Sequence, residues 1–243
     1  MERADQGLAF MLRYENIAWY EDGMVRILDR RIYPAKVEFV VCKDYKEVAG
    51  AITDMVTQSA GPYTAGAMGM ALAAYECRNQ SETGQREYLR QAADTIAHAR
   101  PTTTDRMNII VQGCLQAAAR AWETGENVSD AIVSHAVSAN NARYHKIGKM
   151  ASYLVDMFPE NGKILTQCFG ETIVGQMLKE AKKRGNELKL YCAETRPYFQ
   201  GARLTASVAR DMGFDVTVIT DNMPAFAIQN EKIDVFTSAA DRS

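Results

Sequence analysis

From Lys163 onward the apolar pattern keeps switching between the period of a strand and that of a helix, and this alternation restricts the fold more than anything else in the chain. "KILTQC" reads as a strand, "ETIVGQMLKEAKKRG" as a helix and "LKLYCAE" as a strand again. The helix "GARLTASVARDMG", the strand "DVTVIT", a short helix near "MPAFAIQN" and the strand "IDVFTSA" follow. Short apolar strands joined by helical crossovers predict a parallel sheet with right-handed connections. In such sheets binding groups gather beyond the carboxyl ends of the strands. Cys168, Glu194, Thr195, Arg196, Asp221, Asn222 and Asp241 stand at those ends. They are expected to line one cleft.

The chain before this region has a different character. "IAWYEDGMVRILDRRIYP" predicts a hairpin turning at Asp22-Gly23, with Pro34 stopping the second strand. Helical periods then run over 64–79, 81–99, 102–123 and 128–158. The last two are parted by the polar stretch from Thr124 to Asn127, and Pro159 to Gly162 ends the series. The expectation is an α/β protein with two domains. Residues 1–160 form a mainly helical domain with an initial β-hairpin, and residues 161–243 form a Rossmann-like parallel-sheet domain. The last predicted strand has no helix after it, and a parallel strand needs cover on both faces. The second domain is therefore expected to be C-terminally incomplete, as a fragment of a longer protein.

Bulk chemistry removes several function classes. A formal net charge of -2 over 243 residues supplies no basic field for nucleic acid or anionic membranes. The lysines of "KEAKKRG" suit the negative end of a helix dipole. No apolar run approaches the ~20 residues that cross a bilayer, and no signal-peptide pattern opens the chain. Cysteines 42, 77, 114, 168 and 192 have no CxxC pairing, and histidines 98, 135 and 145 do not join them in a ligand cadence. This predicts a reducing cytoplasmic setting, no structural metal and no disulfide framework. With neither GxGxxG nor GxxxxGK[ST] in the sequence, no dinucleotide or P-loop cofactor is expected.

Certain residues carry chemistry by type and place. Cys168 stands at a strand end before a helix, where neighbouring N–H groups can lower a thiol pKa and an apolar pocket can make it an acid; burial for packing is the alternative. Asp241 follows another strand, so the two are candidates for a proton-transfer pair. Cys192, inside a strand, reads as packing. Gly61 opens "GPYTAG", a turn that can direct backbone N–H groups at an anion. Arg100 lies at a helix boundary in "ARPT", and with Arg196 and Gln200 it offers a bidentate grip on phosphate. Arg196, beside Pro197 and near Glu194, can equally brace its own loop.

These residues fall in stretches that resemble the methylthioribose-1-phosphate isomerases. The resemblance runs through "IAWYEDGMVRILDRRIYP", "ARPT", "ILTQC", "ETRPYFQGARLTA", "VTVITDNMPA" and "AADRS". That superfamily also contains ribose-1,5-bisphosphate isomerases and regulatory subunits of the eukaryotic initiation-factor exchange complex. It implies a helical domain followed by a Rossmann-like domain, assembled as a homodimer. It places the catalytic cysteine at Cys168 and the catalytic aspartate at Asp241. Phosphate and substrate binding fall to Arg100 and Gln200.

Three departures accompany the resemblance. An Arg-Gly-Ala-Pro loop is replaced by "SAGPYTAG", Asn-Thr-Gly after "ILTQC" is replaced by Phe169-Gly170-Glu171, and the family continues past Ser243. The implied activity is aldose–ketose isomerisation of 5-methylthioribose 1-phosphate, needing neither metal nor cofactor. Ribose-1,5-bisphosphate or 5-deoxyribose-1-phosphate isomerisation is the near alternative, and a non-catalytic regulatory or interaction subunit is the distant one.

Overall fold

Alternating strands and helices from Lys163 fold as their periods predict. The computed structural model describes residues 3–238. Strands β4 (Lys163–Gln167), β5 (Lys189–Ala193), β6 (Asp215–Ile219) and β7 (Val235–Thr237) form one sheet of order β6-β5-β4-β7, numbered here in chain order. All three neighbouring pairs are parallel; Leu165 pairs with Tyr191 and with Phe236, and Tyr191 with Thr217.

Helix α7 (Thr172–Arg184) links β4 to β5, and α8 (Ala206–Asp211) links β5 to β6. The link from β6 to β7 is α9 (Pro224–Asn230). Gly185 stops α7 in the left-handed conformation at φ 78°. Lys182, Lys183 and Arg184 occupy its last turn, where the helix dipole favours cations. Leu165, Tyr191, Ala193 and Ile219 pack with Ala227 of α9 on one face of the sheet.

The stretch read as a single helix from Gly201 begins differently. Residues Gly201–Thr205 form a π-helical turn, and regular α-helix starts only at Ala206. A Cβ on Gly201 would lie 1.8 Å from the Ala193 carbonyl oxygen. Only glycine lets the chain return this closely over the end of β5.

Two compact units divide the chain. One is Tyr14–Asn141; the other comprises the chain up to Arg13 and from Ala142 onward. The short initial segment belongs to the sheet-bearing unit through specific contacts. The Phe10 N–H donates to Asp211 Oδ2 (2.6 Å), and the Tyr144 hydroxyl donates to the Leu12 carbonyl (3.1 Å). Leu12 also packs so closely on Gly175 of α7 that a Cβ there would come within 2.4 Å of it.

In the Tyr14–Asn141 unit, the short helix α1 (Tyr14–Ile17) leads into the hairpin β1 (Ala18–Glu21) and β2 (Met24–Leu28). Asp22 and Gly23 have φ of 50° and 76°, as a two-residue turn matched to strand twist requires. Strand β3 (Phe39–Cys42) adds antiparallel to β2. Pro34 does not end β2, which stops at Leu28. Turns follow Leu28 instead, and Asp29 accepts from both the backbone N–H and the guanidinium of Arg31.

Helices α2 (Tyr45–Thr53), α3 (Gly61–Glu76), α4 (Glu82–Ala97) and α5 (Thr104–Thr124) complete this unit's core, together with the first part of α6 (Val128–Val155). Caps explain the boundaries. Asp44 accepts from the Glu47 N–H, Ser81 accepts from the Gly84 N–H, and Gly125 ends α5 at φ 73°. Helix α3 is buried on nearly every side, and Gly66 and Gly69 let Met107, Ile96 and Val48 approach its axis. Among the described residues, no helix is long and apolar enough to cross a membrane.

Candidate functional site

Cys168 follows β4 directly and takes a left-handed backbone, φ 57°. A residue with a Cβ is rarely found there: the conformation costs about 1–3 kcal/mol and persists only where the surroundings enforce it. Here both of its peptide groups are held. Its N–H donates to Thr195 Oγ1 at 2.9 Å, and its carbonyl accepts from Thr205 Oγ1 at 2.5 Å. Its side chain is partly exposed, whereas Cys42, Cys77, Cys114 and Cys192 are buried. Desolvation pushes the Cys192 and Cys114 thiols up to about 12 and that of Cys42 to about 11. Cys192 is a packing residue, as its place inside a strand predicts.

Thr195 stands two residues after the end of β5 and is also left-handed, at φ 61°. Its hydroxyl donates to the Ala193 carbonyl (3.1 Å) while accepting from Cys168. Asp221, just beyond β6, accepts the Thr195 N–H on Oδ1 and the Arg196 N–H on Oδ2, each at 2.7 Å. Those two N–H groups, Arg196 first, hold the Asp221 carboxyl below its ordinary range. Three strand ends are thereby joined by hydrogen bonds.

The polar run "ETRPYFQ" divides into bracing and accessible groups. Arg196 braces the loop, for its guanidinium donates to Glu194 Oε1 at 2.8 Å and sits 5.2 Å from the centre of the Phe199 ring. Gln200 precedes the π-helical turn and is half-buried, and its amide has no hydrogen bond among the described residues. Cys168 and Gln200 thus follow the carboxyl ends of the two central strands, β4 and β5. Glu171 sits at the N-cap of α7, fully buried, with φ 40°. Asp241 lies outside the described residues.

Gly61 and Arg100 belong to the Tyr14–Asn141 unit. Gly61 is the first residue of α3, where its N–H donates to the Gln58 carbonyl (3.0 Å). A Cβ there would fall 2.0 Å from Thr57 Oγ1 and 2.9 Å from Arg30 Nη1, so tight packing explains the glycine. Arg100 precedes a 3-10 turn over Pro101–Thr103, and its carbonyl accepts from the Thr103 and Thr104 hydroxyls. The Arg100 guanidinium makes no hydrogen bond or ion pair among the described residues, and the residue is half-buried.

The same unit has a groove of about 590 Å³ lined by Tyr63, Ile109, Cys114 and His135, among others. It contains none of the residues expected to bind substrate. Desolvation, and after it the charge of Arg120, lowers the His135 pKa below its ordinary value. Among the described residues, no cluster of three or more His, Cys, Asp or Glu side chains is placed to hold a metal.

Sequence reasoning missed Thr195 and Thr205 as supports of Cys168. The available signal was that both threonines lie inside one stretch already marked for binding, "ETRPYFQGARLTA". Threonine there gives no periodicity cue, because its importance lies in a hydroxyl reaching another strand.

A parallel sheet with a thiol, two hydroxyls, a carboxylate and an amide beyond its strand ends has the form of an α/β ligand-binding domain. The chain belongs to the initiation factor 2 subunit family, matched over residues 58–242. It is 30% identical over 233 residues to a putative methylthioribose-1-phosphate isomerase of Archaeoglobus fulgidus, covering 92% of this chain and 68% of that protein. To the methylthioribose-1-phosphate isomerase of Carboxydothermus hydrogenoformans it is 31% identical over 245 residues, covering 92% and 67%.

Solved structures agree in fold. The 5-methylthioribose 1-phosphate isomerase of Pyrococcus horikoshii OT3 superposes with a TM-score of 0.76 at 25% identity, covering 93% of this chain and 66% of that one. The translation initiation factor eIF-2B, subunit delta, from A. fulgidus superposes at 0.77 with 29% identity, covering 93% and 68%.

Proposed function

We propose that this chain is an aldose–ketose isomerase of a pentose 1-phosphate, with 5-methylthioribose 1-phosphate as the best-matched substrate. The chain is an isomerase of its family, in keeping with the names of its curated relatives. The observation that carries the reading is Cys168. It is the partly exposed cysteine, standing beyond β4 with both of its peptide groups held.

The substrate's chemistry explains what such a site must do. Phosphate on the anomeric oxygen prevents simple opening to the aldehyde. The C1–ring-oxygen bond must break as the ring oxygen gains a proton. Hydrogen then moves from C2 to C1, and O2 loses its proton as C2 becomes the ketone. Cys168 acts at the C1/C2 side, either through an enol-type intermediate or beside a hydride shift. Asp241 handles the proton on the ring oxygen or O2. Gln200 and Arg100 are each assigned to sugar-phosphate binding, because the amide of one and the planar guanidinium of the other make no hydrogen bond among the described residues. Exclusion of water would strengthen each of these interactions. The scheme requires neither metal nor nucleotide, and we assign the protein to the cytoplasm as a homodimer.

Two observations favour a second reading, a non-catalytic regulatory subunit of the same family. The solved eIF-2B delta subunit of A. fulgidus resembles this chain as closely as the isomerase does. Glu171 also puts a buried carboxyl at the start of α7, the helix that follows Cys168. One experiment separates the readings: the protein is incubated with 5-methylthioribose 1-phosphate, ribose 1,5-bisphosphate and 5-deoxyribose 1-phosphate, and ketose formation is followed by NMR. Turnover of one sugar, abolished in C168S, supports the enzyme. Binding without turnover of any of them supports the regulatory subunit.

A further inference from the structure

We propose that Thr195 and Asp221 are positioning residues for Cys168, acting in series from the end of β6 through the end of β5 to the end of β4. The proposal rests on the reading of Cys168 as the reacting thiol. Asp221 spends one carboxylate oxygen on each of two successive N–H groups, those of Thr195 and Arg196. That fixes Thr195 in its left-handed conformation, which an L-residue does not hold without enforcement.

The Thr195 hydroxyl is then used in both senses. Its one proton goes to the Ala193 carbonyl, which orients a lone pair toward the Cys168 N–H. Cys168 is itself left-handed at φ 57°, so its side-chain direction depends on these bonds rather than on backbone preference. Thr205 grips the opposite side of the residue through the carbonyl. A loop brace alone would not require the hydroxyl of one strand end to reach the peptide of another.

The geometry predicts a graded set of effects. T195V keeps the shape and removes both hydrogen bonds, whereas T195S keeps the hydroxyl. D221N retains one acceptor oxygen and loses the other. An error near 1 Å in the position of a reacting group costs ~10²-fold in rate. T195V is therefore expected to lower kcat by at least about tenfold with KM changed less than about threefold, and T195S to recover most of the rate. D221N is expected to fall between them. Because the two residues act in series, the T195V/D221N double variant should be no worse than T195V alone.

A second measurement does not depend on turnover. Native-state alkylation by iodoacetamide at pH 8, read by intact mass, reports Cys168 because the other four cysteines are buried. Released from its N–H anchor, the partly exposed thiol should react at least about threefold faster in T195V and at the wild-type rate in T195S. Should T195V fail to fold, D221N carries the same comparison. Wild-type alkylation rates in T195V and D221N would overturn the positioning role. Altered alkylation in T195V, together with undiminished turnover in C168S, would sustain the positioning role while removing Cys168 from the reaction.

Discussion

Gly201 lies so close over the end of β5 that the space for its Cβ is already taken by the Ala193 carbonyl oxygen, 1.8 Å away. The obstacle is backbone, which cannot rotate aside as a side chain can. G201A must therefore push the π-helical turn off the sheet, and with it the Thr205 hydroxyl that holds Cys168. A stability loss of about 3 kcal/mol or more is expected in urea denaturation. A loss under about 1 kcal/mol would mean that the turn is not seated as described.

The left-handed backbone of Cys168 sets stability against activity. Glycine has no Cβ penalty at φ 57° but loses more chain entropy on folding. The net expectation for C168G is a protein about 0.5 kcal/mol more stable, with turnover abolished. Destabilisation by more than about 1 kcal/mol would show that Cys168 contributes packing rather than strain.

The Asp221 hydrogen bonds should appear as a pH dependence. Its carboxyl is held below the ordinary value of 3.8, first by the Arg196 N–H and then by that of Thr195. A depressed native pKa favours the ionised form in the folded state. Its contribution is present above the unfolded pKa and disappears as pH falls through the native one. The stability gap between wild type and D221N should therefore be widest near neutrality and close below about pH 4. A gap that is constant from pH 7 to pH 3, followed by thermal denaturation, would contradict this assignment.

Arg100 offers the test of phosphate recognition. Its planar fork suits two phosphate oxygens, and a lysine ammonium supplies only a point charge. Calorimetric titration of R100K with 5-methylthioribose 1-phosphate should give about tenfold weaker binding, or ~1.4 kcal/mol. Equal affinity in wild type and R100K would exclude Arg100 from the phosphate site.

Local signals in the sequence determined a large part of this structure. The hairpin at Asp22-Gly23, the helix stops at Gly125 and Gly185, and the four parallel strands follow from turn chemistry and period, which depend only on near neighbours. The placing of Cys168 and Gln200 beyond strand ends follows from the same periods. Tertiary structure alone decided that β7 pairs with β4, since periodicity records which side of a strand is buried and not which strand lies beside it. It also decided that Leu12 packs on Gly175, far along the chain. The support of Cys168 by Thr195 and Thr205 belongs to the same class. A hydroxyl in one loop bonds a peptide 27 or 37 positions away only when the sheet brings their strand ends together in space.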